Sequence, residues 1–321
     1  MGEFDLIRDF FAQQQLSRQD VVLGIGDDAA ILDVHPGAEL ITTSDLLVEG
    51  VHFPQSTSAY DVGYKSLAVN LSDMAAMGAE PAWFLLSISL PEASESWLRN
   101  FCEGLFSLAS ECTVQLVGGD TVRGPLAVGV TMMGWAPQSQ AIRRSGARPG
   151  DGVYVTGVLG DAGLALAGIQ NEVWLPQDIQ MLLLITLNRP VPRVQEGIKL
   201  RGLATSAIDI SDGLVSDLGH ICAESNVGAE VELSLIPLSE SYMEFAMPVF
   251  GYDKAVSHGD DYELCFTVPE EKEVQFTGLY KEFSVPVTRI GAITEVRDIR
   301  WIQEDGNRAT FSKGHDHFPD E

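Results

Sequence analysis

A chain of 321 residues with 45% hydrophobic side chains has room for two domains of ordinary size and is too apolar to be disordered. Its 20 basic against 46 acidic side chains give a formal net charge of −26, which offers a phosphate backbone few cations and excludes a general nucleic-acid binder. Cys102, Cys112, Cys222 and Cys265 form no CxxC pair, no basic-then-apolar leader opens the chain, and no run approaches the ~18 uncharged apolar residues of a membrane span, so a reduced, cytoplasmic protein without a membrane partner is expected.

In chain order, Phe4, Leu6, Ile7, Phe10 and Phe11 recur at near-helical spacing and predict an N-terminal helix. Strands are predicted over Glu39–Thr43, Trp83–Leu90, Val114–Val117 and Leu126–Met133. Helices are predicted over Ser58–Met77 and Ser94–Cys112, the second burying Trp97, Leu98, Phe101, Leu105 and Leu108. Turn formers and three arginines (Arg143, Arg144, Arg148) crowd the segment 135–151, which marks a domain boundary: 1–137 and 138–321. Beyond it come strands at Val153–Val155, Ala207–Ile210, Ala229–Leu235, Glu263–Val268, Val287–Ile293 and Ile299–Ile302. Helices are expected from near Asp161 and over Gln177–Asn188, Val191–Arg201, Asp212–Glu224 and Glu270–Lys281. Strands and helices alternate in both halves, so the fold class is mixed α and β.

Five acidic segments share one design: Gly24-Ile25-Gly26-Asp27-Asp28, Thr42-Thr43-Ser44-Asp45, Leu71-Ser72-Asp73, Val117-Gly118-Gly119-Asp120 and Ile208-Asp209-Ile210-Ser211-Asp212-Gly213. In four of them an Asp ends or interrupts an apolar strand, with glycines that permit close backbone approach. The fifth, Asp73, lies on a helix whose polar stripe of Ser66, Asn70 and Asp73 falls on one face among Leu, Ala, Val and Met, which points the stripe into a cavity. A helix cap or an Asx turn accounts for any one Asp, and Asp161 and Asp212 can each cap a following helix, but that account must be invoked separately for every segment.

Convergence of these carboxylates would require cations, since two unit charges ~4 Å apart repel by about 4 kcal/mol at an effective dielectric near 20. Asp oxygens with Thr and Ser hydroxyls are hard ligands suited to Mg²⁺, and such a set without a catalytic Cys or His pair points to phosphoryl transfer. No G-x-x-x-x-G-K-[ST] occurs, which argues against a P-loop kinase. The Gly24-Ile25-Gly26-Asp27-Asp28-Ala29 match to a dinucleotide fingerprint sets two carboxylates where a pyrophosphate would lie. The turn from Gly157 to Gly163 serves close helix-to-sheet packing or a ligand equally well.

Taken together, these segments resemble the thiamine-monophosphate kinase family, within the superfamily that includes aminoimidazole ribonucleotide synthetase. The resemblance runs nearly end to end and includes Ala68-Val69-Asn70-Leu71-Ser72-Asp73-Met74, Gly118-Gly119-Asp120-Thr121, Arg144-Ser145-Gly146-Ala147, Ile210-Ser211-Asp212-Gly213-Leu214 and Asp261-Tyr262-Glu263-Leu264. It implies a two-domain aminoimidazole ribonucleotide synthetase-like α/β fold, an N-terminal domain that pairs across a homodimer, and Mg²⁺-dependent transfer from ATP to thiamine monophosphate. By motif it implies Asp28, Thr43, Ser44, Asp45, Asp73, Asp120, Asp209 and Asp212 as Mg²⁺ ligands, with Asp45, Asp73, Asp120 and Asp209 serving the transfer. Gly119, Asp120, Arg144 and Ser211 are implied as nucleotide contacts, and His52, Asp260 and His315 as contacts to the thiamine substrate. Two departures stand out: the family reads Gly-Gly-Glu-Asp where this chain has His258-Gly259-Asp260-Asp261, and His315 replaces a family Tyr. The rivals are another enzyme of the superfamily, which the lack of any Cys before Cys102 and of a C-terminal Cys disfavours for selenium and hydrogenase-maturation chemistry, and a nucleotide-binding protein without turnover.

Overall fold

A computed structural model of the protein describes residues 3–312 and 314. The chain forms two compact units, the first of Met1–Met74 with Ala79–Ser139 and the second of Ala75–Gly78 with Gln140–Glu321.

The first unit opens with α1 (Glu3–Leu6), continued by a π-turn over Ile7–Phe11 that buries Phe10 and Phe11. A two-stranded ladder follows, β1 (Val21–Leu23) with β2 (Ile31–Leu32), then β3 (Ala38–Val48), α2 (Ala59–Ala76), β4 (Glu80–Leu90), α3 (Glu95–Glu111), β5 (Gln115–Arg123) and β6 (Ala127–Pro137). The last four strands form one sheet in the order β3-β6-β4-β5, antiparallel except for β4 with β5. Alternation along the strands gives this sheet two unlike faces. Phe84, Leu86 and Ile88 of β4 pair with Met132, Val130 and Val128 of β6, and all six are buried. The opposite face is open over much of its length and shows Leu40 and Leu46 at 52% and 58% exposure. One end of it is covered by the β1–β2 ladder, where Val21 and Leu32 pack with Trp83, Val117 and Trp135.

Helices α2 and α3 cross at glycine. A Cβ on Gly63 would stand 2.1 Å from the Phe101 carbonyl oxygen, and one on Gly104 would stand 2.0 Å from that of Tyr60. Helix α3 buries Leu98, Phe101, Leu105 and Leu108 as its periodicity predicts. Trp97, expected with them, is only part-buried and stacks on Phe101 at 5.2 Å, because it sits at the edge of the apolar stripe.

The second unit comprises β7 (Gly152–Thr156), α4 (Asp161–Ile169), α5 (Gln177–Asn188), α6 (Val194–Leu200), β8 (Ser206–Asp209), α7 (Leu214–Ser225), β9 (Gly228–Glu232), α8 (Met247–Phe250), α9 (Asp253–Val256), β10 (Leu264–Val268), α10 (Glu273–Leu279), β11 (Val287–Thr294), β12 (Ile299–Ile302) and β13 (Arg308–Ala309). Seven strands form one sheet in the order β13-β12-β9-β11-β7-β10-β8. Among the described residues of this sheet only β9 and β12 pair in parallel. Every residue of β7, β8 and β10 is buried. Leu159, Leu164, Leu183, Leu187, Leu214, Leu218 and Ile221 of the helical layer share one core with Val153, Val155 and Ile208 of the strands.

Candidate active site

Strand β3 runs to Val48, so Thr43, Ser44 and Asp45 lie inside a strand rather than at its end. Thr43 pairs with Met132 and Asp45 with Val130, which sets both on the buried, helix-covered face. There the Thr43 hydroxyl donates to Asp73 Oδ2 on α2. Thr43 and Asp73 are thus in contact, and Asp45 lies two residues further along the same face of β3. Ser66 and Asn70 are buried as the polar stripe predicts, yet they bond within the helix: Ser66 Oγ donates to the Gly63 carbonyl at 3.0 Å and Asn70 Nδ2 to the Ser66 carbonyl at 3.1 Å. Asn70 Oδ1 is buried with no partner among the described residues.

Ser44 points the other way, and its hydroxyl lies 2.9 Å from that of Thr131. Asp120 is interior to β5 and shares the row Leu46, Gly129, Ser87, Asp120 on that same open face. Asp45 belongs to the neighbouring row with Val130, Leu86 and Gly119. The two carboxylates thus sit on opposite faces and opposite edges of the sheet, three strand spacings or roughly 14 Å apart. Asp120 Oδ1 accepts from the Thr121 amide at 2.8 Å. Asp28 is exposed in the turn between β1 and β2, where its amide donates to Asp27 Oδ1 at 2.8 Å. His52 Nδ1 accepts from the Val48 amide at 3.0 Å, so a neutral ring carries its proton on Nε2.

In the second unit, Asp209 ends β8 and is buried, and the chain then turns through Ile210-Ser211-Asp212-Gly213 into α7. Asp212 does not cap α7. The N-cap is Gly213, at φ +109°, and the capping carboxylate comes from inside the helix. Asp217 Oδ2 accepts from the amides of Ser211, Asp212 and Gly213, each at 3.1 Å. Burial, with the nearby charges of Asp209 and Asp212, pushes the Asp217 carboxyl up to about 8 despite those bonds. Asp260 lies beside this turn in a left-handed conformation, φ +68°, and its amide donates to the Ser211 carbonyl at 2.9 Å. A Cβ on Gly259 would fall 1.7 Å from that same carbonyl oxygen, so only glycine fits there.

Arg144 is exposed, and its segment is tied to the far end of α7: Ser225 Oγ accepts from the amides of Gly146 and Ala147 and donates to the Arg144 carbonyl. Ser211 and the Arg144 backbone therefore stand at opposite ends of α7, a helix about 18 Å long. His315 lies outside the described residues. Among the described residues no three His, Cys, Asp or Glu side chains gather as a ready-made metal cage.

The turn Gly157–Gly160 resolves toward packing. Both carboxylate oxygens of Asp261 accept from the Gly160 amide, at 3.0 and 3.1 Å, so the chain itself occupies the start of α4. Burial holds Asp261 well above the usual carboxylate range. Asp161, expected as a cap, instead accepts from Ser239 Oγ at 2.5 Å, and the N-cap is Gly160. Burial raises its carboxyl too.

Three groups near these segments escaped the sequence reading. Asp217 had a usable signal, a charge in the apolar stripe of Leu214, Leu218 and Ile221. Glu263 receives Arg193 Nε at 2.7 Å and the Thr156 hydroxyl at 2.5 Å, a pairing across 70 and 107 residues that no local pattern announces. Lys254, 8% exposed, places Nζ 3.0 Å from His258 Nε2 and 2.8 Å from Glu172 Oε2.

The family described as AIR synthase related protein matches through its N-terminal domain over residues 26–136 and through its C-terminal domain over residues 148–302. The chain is 45% identical to the thiamine-monophosphate kinase of Escherichia coli over 321 residues, 99% of this chain and 98% of that protein. The crystal structure of thiamine-monophosphate kinase from Stenotrophomonas maltophilia superposes with a TM-score of 0.87 at 45% identity, covering 96% of this chain and 98% of that one. AaThiL complexed with AMPPCP and TMP superposes with a TM-score of 0.77 at 31% identity, covering 99% and 97%.

Proposed function

This chain belongs to the thiamine-monophosphate kinase family of AIR-synthase-related proteins, and on that premise we infer that it transfers the γ-phosphate of ATP to thiamine monophosphate, yielding thiamine diphosphate and ADP. Its end-to-end likeness to kinases of that name carries the reading.

The chemistry suits the residues at hand. A phosphate monoester has a second pKa near 6, so at neutral pH its oxygen is already a nucleophile and needs no side chain to take a proton. Attack on the γ-phosphorus forms one P–O bond as the β–γ bridging bond breaks and ADP leaves. What the protein must supply is alignment of two anions and relief of their repulsion. Asp45, Asp73, Asp120 and Asp209 serve that task, together with nucleotide contacts from Gly119, Asp120, Arg144 and Ser211. His52, Asp260 and His315 hold the thiamine moiety.

Asp28, Thr43, Ser44, Asp45, Asp73, Asp120, Asp209 and Asp212 would hold magnesium ions. The donors fit that cation: all are hard oxygens, and Thr43 already hydrogen-bonds Asp73 on the face that carries Asp45. Bound magnesium supplies the positive charge that lets ATP and the acceptor phosphate approach.

Pairing with a second copy is supported by the open face of the N-terminal sheet. It carries exposed Leu40, Leu46 and Val122, which a solvated face would replace with polar residues, and it carries Ser44 and Asp120 too. A homodimer through that face would bring Asp120 of one copy toward the β3 segment of the other. No described helix is long and apolar enough to cross a membrane. A cytoplasmic location belongs to the same reading, since ATP is the co-substrate.

The activity is tested by incubating the purified chain with ATP and thiamine monophosphate, with Mg²⁺ or with EDTA. Thiamine diphosphate and ADP are expected in equal amounts with Mg²⁺ and not with EDTA. Absence of thiamine diphosphate, with ATP consumed on formylglycinamidine ribonucleotide instead, would move the chain to another branch of the superfamily.

A further inference from the structure

The turn 210–213 is held from two sides. Toward β10, the Ile210 carbonyl accepts from the Tyr262 amide at 2.8 Å and the Ser211 carbonyl from the Asp260 amide at 2.9 Å. On the other side three successive amides converge on one oxygen, Oδ2 of Asp217, at 3.1 Å each. Successive amides aimed at one point form a concave nest whose usual occupant is an anion such as phosphate. Here the chain fills the nest with a side chain that is 2% exposed, so the nest itself is closed to a ligand.

The occupant is costly. It sets a third carboxylate beside Asp209 and Asp212, where an Asn would offer an oxygen acceptor without adding like charge. Three bonds from consecutive amides to that single oxygen pin the turn at three points, which matters if it must not move. The turn's other flank has no slack: a Cβ on Gly213 would meet the Ser257 carbonyl carbon at 2.8 Å. The Asp260 segment is anchored independently, through Asp261 on the Gly160 amide.

We propose that Asp217 is a positioning residue for phosphoryl transfer: it locks the turn that presents Asp209, Ser211 and Asp212, and so sets the affinity for nucleotide and cation without touching either. The proposal rests on the assignment of ATP to this turn. It differs from simple helix capping in predicting which affinity changes.

The test uses the full chain with D217A and D217N. Hydrogen–deuterium exchange without nucleotide reads the turn directly and does not depend on the reaction. In D217A the amides of residues 211–213 are expected to exchange at least tenfold faster. The KM for ATP and the Mg²⁺ concentration for half-maximal rate are each expected to rise at least tenfold, with the KM for thiamine monophosphate within twofold. D217N keeps one oxygen acceptor and is expected to fall between, near threefold. Unchanged exchange at those amides in D217A overturns the proposal, as does an equal rise of both KM values. If D217A does not fold, D217N carries the test, and no selective rise in its KM for ATP overturns the proposal. If the wild-type chain makes no thiamine diphosphate, the assigned activity fails while the exchange result still judges the lock.

Discussion

An ammonium can only donate, so the contact between Lys254 Nζ and His258 Nε2 fixes the imidazole as an acceptor there and sets its proton on Nδ1. Burial first, and then the Lys254 charge, hold the His258 pKa below its ordinary 6.5; Asp253 and Glu172 oppose the shift without cancelling it. A folded-state pKa below the unfolded one means that the unfolded chain takes up the proton first as pH falls. The resulting stability is complete above pH 6.5 and is lost as the pH drops through the folded value. Wild-type Tm is therefore expected to fall faster than that of H258Q on acidification below this point, and an identical slope in thermal melts would show that His258 does not titrate as argued. Glu172 was not legible as the ion-pair partner of Lys254, since it stands 82 residues earlier and ordinary surface charges look the same in sequence. Asp73 was legible, because an acidic side chain in an otherwise apolar stretch must face something polar, and here that is Thr43.

Helix α5 spans the same residues, Gln177–Asn188, that its apolar pattern predicts. The predicted helix 270–281 is instead a short α10 flanked by 3₁₀ turns at Glu270–Lys272 and Tyr280–Glu282. Strands β3 and β5 run past the expected ends at Thr43 and Val117, since pairing along the whole of β6 and β4 overrides the poor strand preference of Asp and Gly. The glycines of α3 and α10 separate packing from propensity. At Gly104 an added Cβ would lie 2.0 Å from backbone, whereas at Gly278 nothing lies within 4 Å. G104A is expected to lose about 2 kcal/mol, as overpacking outweighs the helix preference of Ala. G278A is expected to gain about 0.5 kcal/mol. Urea unfolding of both variants checks the pair, and a neutral G104A would mean that the two helices separate easily.

At the scale of the molecule, alternating strands and helices disclosed the mixed α/β class. The order of the first sheet was not legible, because β6, last in sequence, inserts between β3 and β4. Nor was it legible that Asp45 and Asp120 end on opposite faces, which depends on a register shift between β4 and β5 near Leu85 and on every pairing beyond it. That division of labour has a genetic signature. If one reaction centre draws Asp45 from one copy and Asp120 from the other, D45N and D120N chains should each be nearly inactive alone. Dissociated and reassembled together, half of the pairs would be mixed, and each mixed pair would own one centre with both acids intact. About one quarter of normal turnover should return by this complementation. Two defective alleles rescuing each other would be the mark of a workshop that neither copy can furnish by itself.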